Sequence, residues 1–197
     1  MNSYRHLTTA GLFLLSLTIA SAASTFRNSL LFSESDLPRI RANTEDPNFK
    51  AYWEGELGKD IEEDGDFRRE ALIYLLTGDA ERGQTAREYT MEMVRRDRWH
   101  RFQDADGTAI GFLRAAAKTA RVALAYDWLY DLFTPGEREE ILTAIADKGC
   151  EPIYNGLYGM KHPESVIRWD FVPDDFRDGQ VLDMSRWPEI LSKNNFR

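Results

Sequence analysis

Apolar residues recur at intervals of three and four along most of this chain, which is the spacing of helices that place one face in a core. The pattern predicts a short helix from Ser33 or Ser35 through Arg41, and a second helix that begins at Asp46-Pro47. Serine caps helix N-termini well, and proline suits the first helical position because the N–H it lacks would stay unbonded there. Almost no segment shows the apolar–polar alternation of a half-buried strand.

Two longer helices are predicted to form an antiparallel hairpin. An apolar stripe begins at Phe67 and ends at Thr77-Gly78, where glycine can adopt the left-handed conformation that stops a helix. Asp79 follows at once and is a good N-cap for a helix over 80–96. Because the connection is so short, the two helices should lie side by side and antiparallel.

The longest periodic segment spans residues 109–133 and is rich in alanine, which permits close contacts between helices. Thr134-Pro135-Gly136-Glu137 then reads as a capping box that begins a helix carrying Ile141, Leu142 and Ile145. Consecutive hairpins joined by short turns predict an all-α fold built from antiparallel helical hairpins.

The region over 159–193 breaks this pattern, because it is rich in proline, charge and aromatic residues and carries no helical stripe. It predicts a long irregular C-terminal loop, with room for a short strand pair over 165–169. The loop leads to Asn194-Asn195-Phe196-Arg197. Asparagine offers an amide donor and a carbonyl acceptor, and the ring offers a flat apolar surface, so this tetrapeptide could bind a sugar. An asparagine-rich turn is the alternative interpretation.

The first 22 residues have the pattern of a targeting segment. Arg5 and His6 precede the apolar stretch Gly11 to Ala20, and Ala20-Ser21-Ala22 resembles a cleavage site. We therefore expect a signal peptide over 1–22, cleaved near Ala22, and a periplasmic or secreted mature chain over 23–197 that does not contact the membrane. An uncleaved anchor is the competing interpretation, but the apolar stretch is short for a bilayer.

The net charge of −8 argues against a nucleic-acid partner and against adhesion to anionic lipid. An acidic protein can still contain a locally basic cleft that binds an acidic polysaccharide. The candidates to line such a cleft are Arg95, Arg96, Arg98, Arg101, Lys161, Arg168, Arg177 and Arg186.

Cysteine and histidine are scarce in this sequence. Cys150 is the single cysteine, so no internal disulfide can form, and we expect it to be a partly buried small apolar residue. The three histidines form no cluster with cysteines or carboxylates at ligand spacing. The sequence therefore predicts no metal site and no cofactor.

Four segments in this order resemble the N-terminal part of the heparinase II/III-like and alginate-lyase-like polysaccharide lyases. They are LLFSESDLPRIRA, ALIYLLTGD, AYDWLYDLFTPGEREEI and the terminal NNF. The resemblance covers nearly all of residues 30–197. It implies that the helical hairpins form part of an incomplete (α/α) toroid, which in that family precedes a β-sandwich, and that this chain is an N-terminal portion.

The resemblance also implies roles for particular residues. Asn195 would neutralise the uronate carboxylate beside the carbon that loses its proton, with support from Asn194, because donors aimed at those oxygens stabilise the developing charge. Phe196 stands where the family usually has Trp or His. The residues expected to contact an acidic polysaccharide substrate are Phe196, Trp187, Trp99 and His100. The general base and acid, a Tyr and a His in that family, would lie beyond Arg197, so the chain alone should be inactive.

Two other function classes stay open. A glycoside hydrolase needs two carboxylates, which the acidic loop with Asp170, Asp174, Asp175 and Asp178 could supply. A non-catalytic carbohydrate-binding module needs only the helical hairpins. The tyrosines at 126, 130, 154 and 158 are expected to pack in the core or in a groove, and Asp127 and Trp128 are expected to fix helix packing. The oligomeric state is not determined by the sequence.

Overall fold

The computed structural model describes residues 30–59 and 66–172, and this part of the protein is mostly helical with a small antiparallel sheet. The helices are α1 (Leu37–Thr44), α2 (Lys50–Leu57), α3 (Phe67–Thr77), α4 (Ala80–Arg95), α5 (Leu113–Trp128), α6 (Pro135–Ala144) and α7 (Glu151–Lys161). The strands are β1 (Phe102–Gln103), β2 (Ala109–Ile110) and β3 (Asp170–Phe171). The predicted signal peptide lies outside the described residues.

The hairpin of α3 and α4 forms as the sequence predicts. Gly78 ends α3 with a left-handed φ of 78°, and the Asp79 carboxylate accepts from the backbone N–H groups of Glu81 and Arg82. Gly83 lets the helices pack closely, since a β-carbon there would lie 2.5 Å from the ring of Tyr74. The predicted turn and the antiparallel packing of these two helices are confirmed, and α4 ends one residue before the predicted Arg96.

Helix α6 begins at the predicted capping box. The Glu137 N–H donates to Thr134 Oγ1 at 3.3 Å, and the Thr134 N–H donates to Glu137 Oε2 at 2.9 Å. The helical path continues from α6 through a π-helical segment, Ile145–Cys150, into α7. Pro152 has no N–H and so donates no hydrogen bond to the preceding turn. The Glu151 N–H donates to Ala146 O, five residues back, which is the spacing of a π-helix.

Four predicted boundaries are wrong. The segment 109–133 is not one helix, because Ala109–Ile110 pairs with β1 and Tyr130–Leu132 is a 3₁₀ turn. Helix α2 begins at Lys50 instead of Asp46, because the Asp46 side chain closes a turn by accepting from the Asn48 N–H at 2.8 Å. The strand expected over 165–169 lies later, at Asp170–Phe171, and α7 extends to Lys161.

The small sheet has the order β2–β1–β3, and both pairs are antiparallel. Phe102 stands opposite Ile110 on one side and Phe171 on the other. The β1–β2 turn closes with the Asp104 N–H donating to Thr108 O at 2.8 Å, and Gly107 takes a φ of 87° there. These strands correct the all-α prediction, since two-residue strands are too short to show alternation in the sequence.

The apolar core lies between α3, α4, α5 and α6, with a second, smaller cluster beneath the sheet. Trp128 is 5% exposed and stacks on Phe32 with ring centroids 5.8 Å apart, and Tyr126 is buried too, as the sequence predicts. The second cluster is built on Ile110 and Trp169. Among the described residues, no helix combines the length and apolar character that a membrane span requires.

One prediction about burial is wrong. Cys150, at the end of the π-helical segment, is exposed instead of partly buried. Tyr154 and Tyr158 of α7 are also exposed, at 64% and 46%, because α7 packs on the sheet through its glycine-containing face instead.

Candidate functional site

One face of α5 carries a row of cationic side chains. Arg114, Lys118 and Arg121 share this face because four and three residues separate them, and the row rises about 10 Å along the helix axis. They line one side of a groove with a volume of about 740 Å³, where the small Ala117 lies between them.

The other side of the groove is the segment that follows α4. Arg96, Arg98, His100 and Arg101 line it, together with Asp97 and Met93. Helix α4 ends at Arg95, and Arg96 already has extended backbone angles. The groove therefore lies between the end of one helix and the flank of another.

The side chains of Lys148 and Trp99 fix the segment after α4. The Lys148 ammonium donates to Val94 O at 2.9 Å and to Arg96 O at 2.8 Å, so it binds carbonyls at the C-terminus of α4. Trp99 is fully buried, and its indole N–H donates to Met93 O at 2.9 Å. With Trp99 anchored in the core, its neighbours Arg98 and His100 lie at the groove.

The groove is strongly positive in an otherwise acidic protein. Six arginine and lysine side chains line it, and Asp97 is the single carboxylate among its described lining residues. Arg96 also pairs with Glu92 at 3.2 Å, where both side chains are more than a third exposed. Cations gathered on a concave surface raise the local potential and attract anions, so this arrangement favours a ligand with several negative charges.

The positive potential also acts on a neighbouring carboxyl group. The pKa of Asp66 lies below its ordinary value of 3.8, first because the Arg68 side chain donates to it, with Arg121 contributing a smaller attraction. Arg121 therefore affects a charged group beyond the groove that it lines.

A second surface depression lies along α4, but its charges are balanced. Arg87 pairs with Glu137, and Arg95 pairs with Glu140 at 3.1 Å. Glu88 and Glu92 add further negative charge to its lining. Mixed charge of this kind gives little attraction for an anion, so the basic groove is the stronger candidate.

The structure describes two of the six residues predicted to act on a substrate. His100 lines the basic groove. Trp99 is 0% exposed, so neither ring face is open to a sugar, and we leave it out of the proposed site. Asn194, Asn195, Phe196 and Trp187 lie outside the described residues.

The predicted basic cleft is assembled in part. Arg96, Arg98 and Arg101 meet in the groove, whereas Arg95 pairs with Glu140 and Arg168 pairs with Asp170 at 2.5 Å. Lys161 does not line the groove, and Arg177 and Arg186 lie outside the described residues. The α5 row was missed, although its basic residues at helical spacing in an alanine-rich segment were a usable signal.

The described residues give less support to a metal site or to glycoside hydrolysis by a pair of carboxylates. Within residues 30–59 and 66–172, no group of three His, Cys, Asp or Glu side chains could hold a metal ion. Of the four aspartates considered for glycoside hydrolysis, only Asp170 is described, and its carboxylate pairs with Arg168.

The fold and the groove define a mostly helical protein with a concave cationic surface suited to anionic ligands. No protein-family model matches the sequence, and no curated protein matches it.

Proposed function

We propose that this chain is the N-terminal helical part of a secreted or periplasmic polysaccharide lyase that acts on a uronic-acid-containing polysaccharide. The basic groove is the observation that supports this proposal, because six cationic side chains in an acidic protein suit a polymer of carboxylates. The order of motifs along the chain adds the resemblance to the lyases. In this proposal the helical hairpins belong to an incomplete (α/α) toroid.

The reaction would be a β-elimination. A base removes the proton next to the uronate carboxyl group, the bond to the glycosidic oxygen breaks with its electron pair, and that oxygen takes a proton from an acid. A carbon–carbon double bond remains in the sugar. Asn195, supported by Asn194, would stabilise the charge that develops on the carboxylate. The base and acid would lie beyond Arg197.

Substrate turnover by the full-length protein tests the proposal. Alginate or a glycosaminoglycan should yield the absorbance of an unsaturated uronate, which only elimination creates. Asn195→Ala should lower turnover about 100-fold to 1000-fold with little change in binding, and Asn194→Ala should have a smaller effect. Full turnover by a normally folded Asn195→Ala protein would contradict the role given to Asn195.

The same groove would also serve a non-catalytic carbohydrate-binding module, which needs no base or acid. Binding of an acidic polysaccharide without any bond cleavage would favour this alternative. New reducing ends without the unsaturated product would instead indicate a glycoside hydrolase.

A further inference from the structure

We propose that the exposed face of α7 binds the same face of a second copy of this chain, so that two α7 helices pack antiparallel around a two-fold axis. This inference is independent of the proposed function, because α7 does not line the basic groove. It follows from an exposed apolar row on α7 and from the order of the charges along that helix.

The outward side of α7 carries large apolar side chains that the described part of the chain leaves in solvent. Tyr154, Leu157 and Tyr158 are 64%, 57% and 46% exposed. They share one face of the helix because three and four residues separate them. Gly156 and Gly159, on the other side of α7, are buried against the body of the protein. Exposed apolar side chains that are grouped on one face indicate a surface that a partner covers.

The aromatic rings on this face stack on one another along the helix. The ring centroids of Tyr154 and Tyr158 lie 6.0 Å apart, and those of Tyr158 and His162 lie 4.5 Å apart, with an interplanar angle of 31° in each pair. A ring that stacks on its neighbour has part of its own face covered, so it gives a sugar no full platform. The rings form a ridge instead, and a second ridge of the same kind can pack beside it through offset and edge contacts.

The charges at the two ends of α7 complement each other when two copies of the helix run antiparallel. Glu151 lies in the first turn and Lys161 in the last turn, and both side chains are exposed. Neither of them is paired with another described residue. A two-fold axis at the height of Gly156 places Glu151 of one copy opposite Lys161 of the other, because both lie equally far from position 156.

The same axis brings Tyr154 of one copy opposite Tyr158 of the other and places the two Leu157 side chains near the centre. A parallel pair of helices would bring Glu151 against Glu151 and Lys161 against Lys161. The order of charges on α7 therefore favours a second copy in the antiparallel arrangement.

The dimer should be weak, because one short helix from each copy forms the contact. Helix α7 has 11 residues and is about 16 Å long, whereas tight complexes bury about 800 Å² on each partner. We expect a dissociation constant of about 10 to 100 µM. The antiparallel register separates the two Cys150 residues by about 18 Å along the helices, which is too far for a disulfide.

Sedimentation velocity of the full-length protein, from about 1 to 200 µM, measures the association. The sedimentation coefficient should rise across this range, and a reducing agent should not change it. Tyr154→Asp should weaken the dimer at least tenfold, because it removes a central ring and places a charge in the contact. Tyr52→Asp is the matched control, since Tyr52 is 70% exposed on α2, and it should leave the association unchanged.

An exchange of charges tests the register. Glu151→Lys alone and Lys161→Glu alone should each weaken the dimer about 3-fold to 10-fold, because like charges then meet across the axis. The two changes together should restore the affinity, although the new charges oppose the dipole of α7 and lower its stability. A role of the native charges within the helix alone predicts no change of association in any of the three variants.

A protein that stays monomeric over the whole concentration range would overturn the inference. A monomer whose Tyr154 and Tyr158 also resist nitration would overturn it and show that another segment of the chain covers this face. Unchanged association of a normally folded Tyr154→Asp protein would overturn it as well. So would a double charge variant that stays as weak as the single variants, because the antiparallel contact of Glu151 with Lys161 would then be absent.

Discussion

Glu70 shows how much one buried side chain contributes to joining the helices. Its side chain is 2% exposed and accepts from Arg69 Nε at 2.9 Å and from Arg82 Nη1 at 2.6 Å. Arg82 also donates to Leu57 O. A single carboxylate thereby connects α3 to α4 and, through Arg82, to the end of α2.

Glu70→Ala should lower the free energy of unfolding by about 1 to 3 kcal/mol, because the partly buried Arg82 guanidinium loses its closest carboxylate and keeps only the longer pairing with Asp79 at 3.8 Å. Urea denaturation measures the loss. Glu88→Ala, at an exposed position of α4, is the control and should change stability by less than about 0.5 kcal/mol. A loss below about 1 kcal/mol for Glu70→Ala would show that the buried pair does not hold the helices together.

Asp66 should make stability depend on pH in the acid range. Its pKa lies below the ordinary 3.8, chiefly because Arg68 donates to it through Nε at 2.7 Å and Nη2 at 2.9 Å. A folded-state pKa below the unfolded one gives stability that is complete above the unfolded value and is lost as pH falls through the folded value. Asp66 therefore stabilises the fold at neutral pH and not in strong acid.

Asp66→Asn should accordingly lower the free energy of unfolding near neutral pH and leave it little changed at about pH 2. The effect should stay below about 1 kcal/mol, since both partners are more than a third exposed. Denaturation of the two proteins across this pH range measures it. If the difference in unfolding free energy between the two proteins grew as pH fell, the lowered pKa of Asp66 would be contradicted.

At the scale of elements, α7 packs closely on β2 and on Gly111, which follows β2. The Gly111 N–H donates to Pro152 O at 2.7 Å, and Asn155 Nδ2 donates to Ala109 O at 3.1 Å. A β-carbon on Gly156 would lie 2.6 Å from Gly111 O. Glycine at 156 is therefore needed for this close approach.

Gly156→Ala should destabilise the protein by about 1 to 3 kcal/mol, because a backbone carbonyl cannot move aside as a flexible side chain can. Gly55→Ala is the matched control, since Gly55 lies in exposed α2 with no atom within 4 Å of its added methyl group. That variant should gain up to about 1 kcal/mol from helix propensity. Thermal melting measures the midpoint temperature of each variant. A change of the same sign in both midpoints would be inconsistent with the close packing of Gly156 on Gly111.

At the scale of the whole molecule, Asp104 connects the β1–β2 turn to the segment before β3. Its carboxylate accepts from the Arg168 N–H at 2.7 Å and from the Ile167 N–H at 3.3 Å. These bonds place the following Trp169 in the second apolar cluster, where it is fully buried. The second cluster thus depends on this buried carboxylate.

Asp104→Ala should increase local opening of the second cluster much more than local opening of the main core. Amide hydrogen exchange at Val172, whose N–H donates to Arg101 O, should accelerate at least tenfold, while exchange in α3 and α4 changes far less. Asp106→Ala, in the same turn but without contacts to 167 and 168, is the control. Equal acceleration throughout the described part of the chain would show that both clusters unfold together.

The sequence by itself determined those helix ends that depend only on residues within one helical turn of each other. Gly78, Asp79 and the Thr134–Glu137 box set helix ends correctly, because the groups they satisfy lie three or four positions away. The basic row of α5 could also have been predicted from the sequence, since helical spacing alone places Arg114, Lys118 and Arg121 on one face.

Only the tertiary structure decided the features that join distant segments. Strand β2 exists because residues 109 and 110 pair with β1, and Trp99 is buried because the core has room for its ring. The groove forms because Lys148 binds the end of α4 from more than fifty residues away and because α5 lies beside that end. Local spacing cannot reveal such contacts, since their energy comes from groups that meet only after the chain has folded.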